Sequence, residues 1–182
     1  MKNKKRLKLT WWETFTHYLI VPFMLIVPLV MAKDLFKIYV TETYTGNRSA
    51  EELINVTIPF LVLAVVFAII QFRRLNFKEI EINYTQDQFQ EAVERTVQDL
   101  GWKIEKNQKN LFRAYRPWNW TGSWGEMITI ILDKDKLFIN SICDPNQKSS
   151  ILSYGWNKRN ISTFIKNINE TINGIPRRIK EN

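Results

Sequence analysis

The chain has very little of two residue types on which much protein chemistry depends. Cys143 is the only cysteine and His17 the only histidine among 182 residues. A disulfide within one chain is therefore excluded, which is typical of a reducing compartment. The sequence also excludes a zinc site of several Cys and His ligands. We expect Cys143 to be a small buried residue that closes a strand, and His17 to be an interfacial polar residue rather than a proton relay.

Charged residues are missing from two stretches near the N-terminus. Residues 15–32 and 53–72 contain no Asp, Glu, Lys or Arg. The second stretch, LINVTIPFLVLAVVFAIIQF, spans roughly 30 Å as a helix, which is the thickness of one hydrocarbon core. Trp11 and Trp12 precede the first stretch, where indole rings favour the membrane interface. The sequence predicts a two-helix transmembrane anchor in residues 1–75, with spans at about 13–34 and 53–72.

The net charge of +8 is concentrated near the ends of these spans. Residues 1–75 contain ten Lys/Arg against five Asp/Glu, whereas residues 33–52, between the spans, contain three against four. This is the positive-inside pattern, and it places both termini of a multi-pass protein in the cytoplasm. We therefore attribute the basic balance to membrane topology and expect no nucleic-acid binding.

A cleavable signal peptide is the alternative interpretation of the first apolar stretch. The stretch has a basic start and contains VMA as a cleavage site. The tryptophan pair before the stretch and its length argue against cleavage. In either case the second span leaves the C-terminal domain on the cytoplasmic side.

Residues 76–175 have the pattern of one cytoplasmic α+β domain. FKEIEINYT alternates as a half-buried strand does, and TQDQFQEAVERTVQDLGW repeats apolar residues at helical spacing, with Thr85 or Asp87 as its cap and Gly101 at its end. WKIEK and LFRAYRP are separated by a polar turn, as are EMITIIL and KLFINSI. GWNKRNISTFIKNINETI then forms a second amphipathic helix. The fold class is thus a membrane-anchored α+β protein, β-α-β-β-β-β-α, whose antiparallel sheet has helices on one face, followed by a basic tail at 176–182.

Motifs for catalysis or cofactor binding are missing. TGSWGE lacks the Lys-Ser/Thr ending of a phosphate loop, and NWTGSWG lacks the arrangement of a nucleophile elbow. Carboxylates such as Glu79, Glu126 and Asp133 are scattered at strand edges and turns, which are typical solvated positions. We expect no enzyme activity, no cofactor and no metal.

The most distinctive segment is YRPWNWTGSWGEM, which places Trp118, Trp120 and Trp124 around two glycines. Three interpretations remain open. The rings form a small core between loop and sheet, they dock at the lipid headgroup layer, or they stack a nucleotide-like ligand. In the last case the ligand's charge is matched by four basic residues: Arg113, Arg116, Lys158 and Arg159.

GWNKRN opens the second amphipathic helix. Gly155 permits a tight start, and Asn157 is expected to be the N-cap. Lys158 and Arg159 then fall in the first turn, where the helix dipole disfavours cations. This placement indicates either two side chains that extend into water or an anionic partner.

Three features carry a resemblance to known proteins: GE before an apolar strand, NSICDP at the end of the next strand, and YGWNKRN at the start of the last helix. Over residues 77–172 the chain resembles small inner-membrane proteins of unknown function from bacteria of Bacteroidetes type. In that family two N-terminal spans precede a cytoplasmic α/β domain. The resemblance implies a bacterial inner-membrane location and no assigned activity.

These observations favour a non-enzymatic membrane protein that presents a cytoplasmic interaction domain near the bilayer. Its expected partners are the lipid bilayer and either another protein or a second copy of the chain. The alternative function is a membrane effector or sensor that is gated by an anionic small molecule.

Overall fold

A computed structural model describes residues 5–118, 120, 123–147 and 152–177. The helices are α1 Trp11–Tyr18, α2 Ile20–Phe36, α3 Ala50–Arg74, α4 Gln86–Leu100 and α5 Trp156–Ile172, and a π-helical turn, Lys37–Thr41, extends α2. The strands are β1 Lys78–Glu81, β2 Lys103–Gln108, β3 Leu111–Arg116, β4 Glu126–Asp133 and β5 Lys136–Cys143. The predicted tail at 176–182 lies outside the described residues, except for Pro176 and Arg177.

Helix α3 is long and apolar enough to cross a membrane, and it contains the predicted span at 53–72. Helix α1, together with α2 and its π-helical turn, meets the same criterion as a pair that is bent by 60°. The described residues thus contain one candidate span, or two candidate spans if the bent pair of helices forms a single span. The predicted span at about 13–34 divides at Leu19 into α1 and α2. Pro22 accounts for the bend, because it has no N–H and its ring crowds the carbonyl of Tyr18.

The sheet is antiparallel throughout, in the order β1-β5-β4-β3-β2. The predicted sequence of elements, β-α-β-β-β-β-α, is confirmed. Helix α4 begins with a capping box: the Thr85 hydroxyl accepts the Gln88 N–H, and the Gln88 side chain accepts the Thr85 N–H. It ends at Gly101, whose φ of 67° suits glycine. Of the two predicted caps, Thr85 is therefore the one observed.

Helices α4 and α5 cover one face of the sheet and form the main core with it. Strand β3 alternates as predicted: Phe112 and Ala114 are buried in this core, opposite Ile130 and Ile128 of β4. Phe164 of α5 joins them and is fully buried. Burial of such a large apolar side chain contributes about 1.5–3 kcal/mol, so this face holds the domain together.

The opposite face of the sheet packs against the beginning of the chain. The N-terminal arm, residues 5–9, runs beside the end of α3, with the Leu7 N–H donating to the Leu75 carbonyl at 2.8 Å. Leu7 and Phe77 then pack on Met127 and Ile142 of the sheet. The domain is thus joined to the helices through packed side chains as well as through the chain itself.

A pair of reciprocal hydrogen bonds ties α1 to α3. His17 Nε2 lies 3.1 Å from the Gln71 carbonyl, and Gln71 Nε2 donates to the His17 carbonyl at 2.6 Å. Both side chains are buried. His17 therefore fixes the two helices to each other near the sheet, which is a more specific role than the interfacial position expected for it.

Candidate functional site

One end of the sheet faces the helices, and we call it the proximal edge. Arg116, Glu126 and Cys143 lie there in register, at the end of β3, the start of β4 and the end of β5. Just beyond Cys143, Asn146 Nδ2 donates to Glu13 Oε1 of α1 at 3.4 Å. The β3–β4 loop and the start of α5 therefore lie at the end of the domain that is nearest to α1.

The tryptophans of the β3–β4 loop project from this edge into solvent. Trp118, Trp120 and Trp124 are 47%, 92% and 44% exposed. The Trp118 ring centroid lies 5.3 Å from that of Trp120 and 6.3 Å from that of Trp124. Trp120 is therefore not part of a small core, whereas Trp118 and Trp124 stack on each other and are about half covered.

The loop is held in this position by a buried polar cluster. Arg116 Nε donates to Glu126 Oε2 at 2.5 Å, and the Ser123 hydroxyl donates to Glu126 Oε1. Arg116 is 3% and Glu126 0% exposed. The expectation that Glu126 is solvated is wrong, because its cross-strand neighbour Arg116 neutralises it within the protein. Gly125 completes the turn with φ 112°, and a Cβ there would meet the Arg116 carbonyl at 2.8 Å.

The start of α5 lies beside this cluster. The Arg116 guanidinium carbon lies 3.7 Å from the centroid of the Trp156 ring, and that of Arg159 lies 4.7 Å from the same ring. Lys158 is exposed in the same turn. Three of the four predicted basic residues are therefore near one another. Arg116, however, is already paired with a carboxylate.

The expected N-cap at Asn157 is wrong, and Gly155 occupies that position with φ 84°. Asn157 lies within the first turn, and its Oδ1 accepts a hydrogen bond from the Ser141 hydroxyl at 3.1 Å. Ser141 Oγ in turn accepts from Asn160 Nδ2, and Asn160 Oδ1 accepts from Trp102 Nε1 at 3.0 Å. These side chains position the start of α5 against the sheet, so Asn157 is used for packing rather than for capping.

Arg113 lies on the other face of the sheet, away from Arg116. In register, Arg113 is opposite Thr129, which is opposite Asn140. Arg113 Nε, Thr129 Oγ1 and Asn140 Oδ1 are buried atoms without a hydrogen-bond partner in the described part of the chain. The four basic residues therefore do not line one concave site, because residues 113 and 116 point to opposite faces of a strand.

Asp144 follows β5 at the proximal edge and is 7% exposed. Burial raises the pKa of its carboxyl above the ordinary value. Hydrogen bonds from the backbone and side chain of Asn146 act in the opposite direction, while the Glu105 and Glu13 charges add to the increase. The ionised form of Asp144 is therefore disfavoured where the edge meets α1.

Asp144→Asn is expected to raise the free energy of unfolding at neutral pH and to have little effect in acid. A carboxyl whose folded pKa is raised stabilises the fold below its unfolded pKa, and this contribution is lost as the pH rises through the folded value. Asparagine keeps the acceptor for the Asn146 N–H, which lies 2.9 Å from Asp144 Oδ1. Urea unfolding of both proteins at several pH values measures the difference, and a gain that does not change with pH would contradict this explanation.

No group of three or more His, Cys, Asp or Glu residues that would hold a metal occurs among the described residues. Cys143 is buried at the end of β5, as predicted. Sequence reasoning did not identify Ser123, Trp156 or the pairing of Arg116 with Glu126. Alternation within β3 and β4 could have placed Arg116 and Glu126 on the helix-covered face, but only the register shows that they are opposite each other.

Comparisons of the chain with protein-family models, curated proteins and solved structures found no match.

Proposed function

We propose that this protein is an integral membrane protein, without enzyme activity, that holds an α+β interaction domain with its proximal edge against the cytoplasmic leaflet. One observation carries the proposal: three exposed tryptophans lie on the end of the sheet that is nearest to α1. Indole rings favour the headgroup layer, because one part of the ring is apolar and its N–H can donate to a polar group.

The junction between the helices and the sheet supports a fixed position of this edge. Asn140 Nδ2 donates to the Arg74 and Asn76 carbonyls at 2.7 and 2.9 Å, where the chain leaves α3. Arg6 Nε donates to Asn76 Oδ1 at 3.1 Å. These contacts restrain the domain next to the ends of the candidate spans, so the loop cannot move far from the bilayer.

The packing of the N-terminal arm and α1 favours an uncleaved first helix. Leu7, Glu13 and His17 are all buried in the full chain. Removal of the first 32 residues would expose the apolar cluster around Phe77 and leave Gln71 without its His17 partner. We therefore favour a multi-pass arrangement with both termini in the cytoplasm, and a bacterial inner membrane as the location.

The alternative, a sensor gated by an anionic small molecule, has less support. It relied on a concave site formed jointly by Arg113, Arg116, Lys158 and Arg159. Arg113 lies on the opposite face of the sheet from Arg116, and Arg116 is paired with Glu126. What remains at the proximal edge is a set of exposed rings with two exposed cations. Such a set is better suited to contact with a broad surface than to binding a ligand in an enclosed pocket.

A fluorescent label on the loop tests the proposal in the full chain. In a Cys143→Ser background, Trp120→Cys and Lys109→Cys are each labelled with an environment-sensitive dye and reconstituted into vesicles. Lys109 is exposed in the β2–β3 turn, at the other end of the sheet. We expect lipids that are spin-labelled at the headgroup to quench the dye at position 120 and to leave the dye at position 109 bright.

Equal quenching at the two positions, or none at position 120, would contradict contact between this edge and the bilayer. The Lys109 label controls for dye that inserts into the membrane by itself, since both sites are exposed. Trp120 is 92% exposed, so its replacement removes little packing.

A further inference from the structure

Within the described part of the chain, no side chain caps the first turn of α5. Gly155 has no side chain with which to cap it, and no acidic residue occurs in the first turn. Among the described residues, the Trp156 N–H donates to the Ser153 carbonyl and the Arg159 N–H to the Gly155 carbonyl. The first N–H groups of a helix carry a partial positive charge, and Lys158 and Arg159 add two full charges to it.

Arg116, whose Nε is paired with Glu126, provides a second, independent sign of a missing acceptor. Its side chain is 3% exposed, and its Nη2 is buried without a hydrogen-bond partner among the residues that the structure describes. The guanidinium lies against the indole ring of Trp156, the first residue of α5, so Nη2 is next to that side chain. Leaving a buried donor unsatisfied is costly, and an oxyanion at this position would accept a hydrogen bond from it.

We propose that the α5 start binds the phosphate group of a molecule with net negative charge. Arg159 and Lys158 are its charged donors, and the second nitrogen of Arg116, Nη2, is a further donor beside the pair with Glu126. Planar guanidinium groups match phosphate oxygens in geometry, and helix N-termini are recurrent phosphate sites. The inference rests on the proposed membrane-contact function and names the chemistry recognised at the same edge. Two sources carry this chemistry: the headgroup of an anionic phospholipid and free inorganic phosphate.

Calorimetric titration of the full chain in neutral micelles distinguishes these sources. The ligands are short-chain phosphatidylglycerol, short-chain phosphatidylcholine and inorganic phosphate. The test variant is Lys158→Gln with Arg159→Gln, and Lys166→Gln is the control because it removes one exposed charge from the same helix, two turns further along. We expect phosphatidylglycerol to bind more tightly than phosphatidylcholine, and the double variant to weaken this binding by at least about 10-fold.

Binding of phosphatidylglycerol alone supports a lipid headgroup site, and additional binding of inorganic phosphate supports a site that accepts the free ion. Equal affinity for the two lipids, or an equal loss in Lys166→Gln, would overturn the proposal. The outcome is separable from the membrane-contact function: quenching at position 120 without any preference for anionic lipid would overturn the phosphate site and leave the contact intact.

Lys158→Glu gives a second readout that a purely structural role would not produce. A carboxylate in the first turn complements the helix dipole, so the variant is expected to be at least as stable as the wild type. The same carboxylate repels a phosphate, so binding of phosphatidylglycerol is expected to fall by more than about 10-fold. Unchanged binding in this stable variant would contradict the site.

Discussion

Arg116→Met is expected to lower the free energy of unfolding by about 3–5 kcal/mol, because it leaves the buried Glu126 carboxylate without its cation. Glu126 is fully buried, and among the described residues its other side-chain partner is the Ser123 hydroxyl. Glu126→Leu is expected to be similarly costly, since the Arg116 charge would then be unpaired at 3% exposure. Urea unfolding in micelles, followed by near-ultraviolet circular dichroism, measures both effects.

The double variant separates the cost of an unpaired charge from the value of the pair. Arg116→Met combined with Glu126→Leu removes both charges and keeps most of the volume, so we expect it to recover most of the stability lost in either single variant. A double variant that loses the sum of the two single effects would show that the charges are not coupled. It would also contradict the explanation that this ion pair holds the β3–β4 loop in position.

Phe164→Ala is expected to cost about 3–5 kcal/mol of unfolding free energy, because it creates a cavity in the main core. Phe164 is fully buried, and its ring centroid lies 5.9 Å from that of Phe89 and 6.3 Å from that of Trp102. The three rings join α5 to α4 and to the start of β2. Their loss would loosen the helix whose N-terminus forms part of the proximal edge.

Lys166→Ala is the matched control for this change. It lies on the same helix, and its side chain is 70% exposed, with a 3.7 Å ion pair to Glu170. An exposed pair at this spacing contributes about 0.3–0.5 kcal/mol, so the control should remain close to the wild type. Comparable losses in both variants would mean that α5 is not packed on the sheet through Phe164.

The elements were predictable wherever one local signal determined them. Thr85, Gly101 and the apolar spacing between them defined α4, and its observed bounds follow those signals. The strands were predictable because β-branched residues alternate between polar turns. Pro22 indicates a kink in the first apolar stretch, but the sequence does not give its angle of 60°, because proline in a transmembrane helix is accommodated by kinks of different size.

The candidate site was less predictable, since it depends on register and tertiary contact. The exposure of Trp118, Trp120 and Trp124 follows from how Glu126 and Ser123 hold the loop, and no local pattern contains that information. Asn157 has the composition of a cap, but Ser141 from β5 competes for its Oδ1. Arg113 and Arg116 were grouped by charge, whereas strand alternation separates them across the sheet.

Sided labelling of the full chain tests the central claim most directly. In the Cys143→Ser background, Asn47→Cys lies in the exposed connection before α3, and Lys109→Cys lies on the domain. An impermeant maleimide is applied to bacterial spheroplasts that express each variant. The account predicts that position 47 reacts in intact spheroplasts and that position 109 reacts only after permeabilisation. Reaction of both positions from the outside, or of neither before permeabilisation, would contradict a two-span anchor with a cytoplasmic domain.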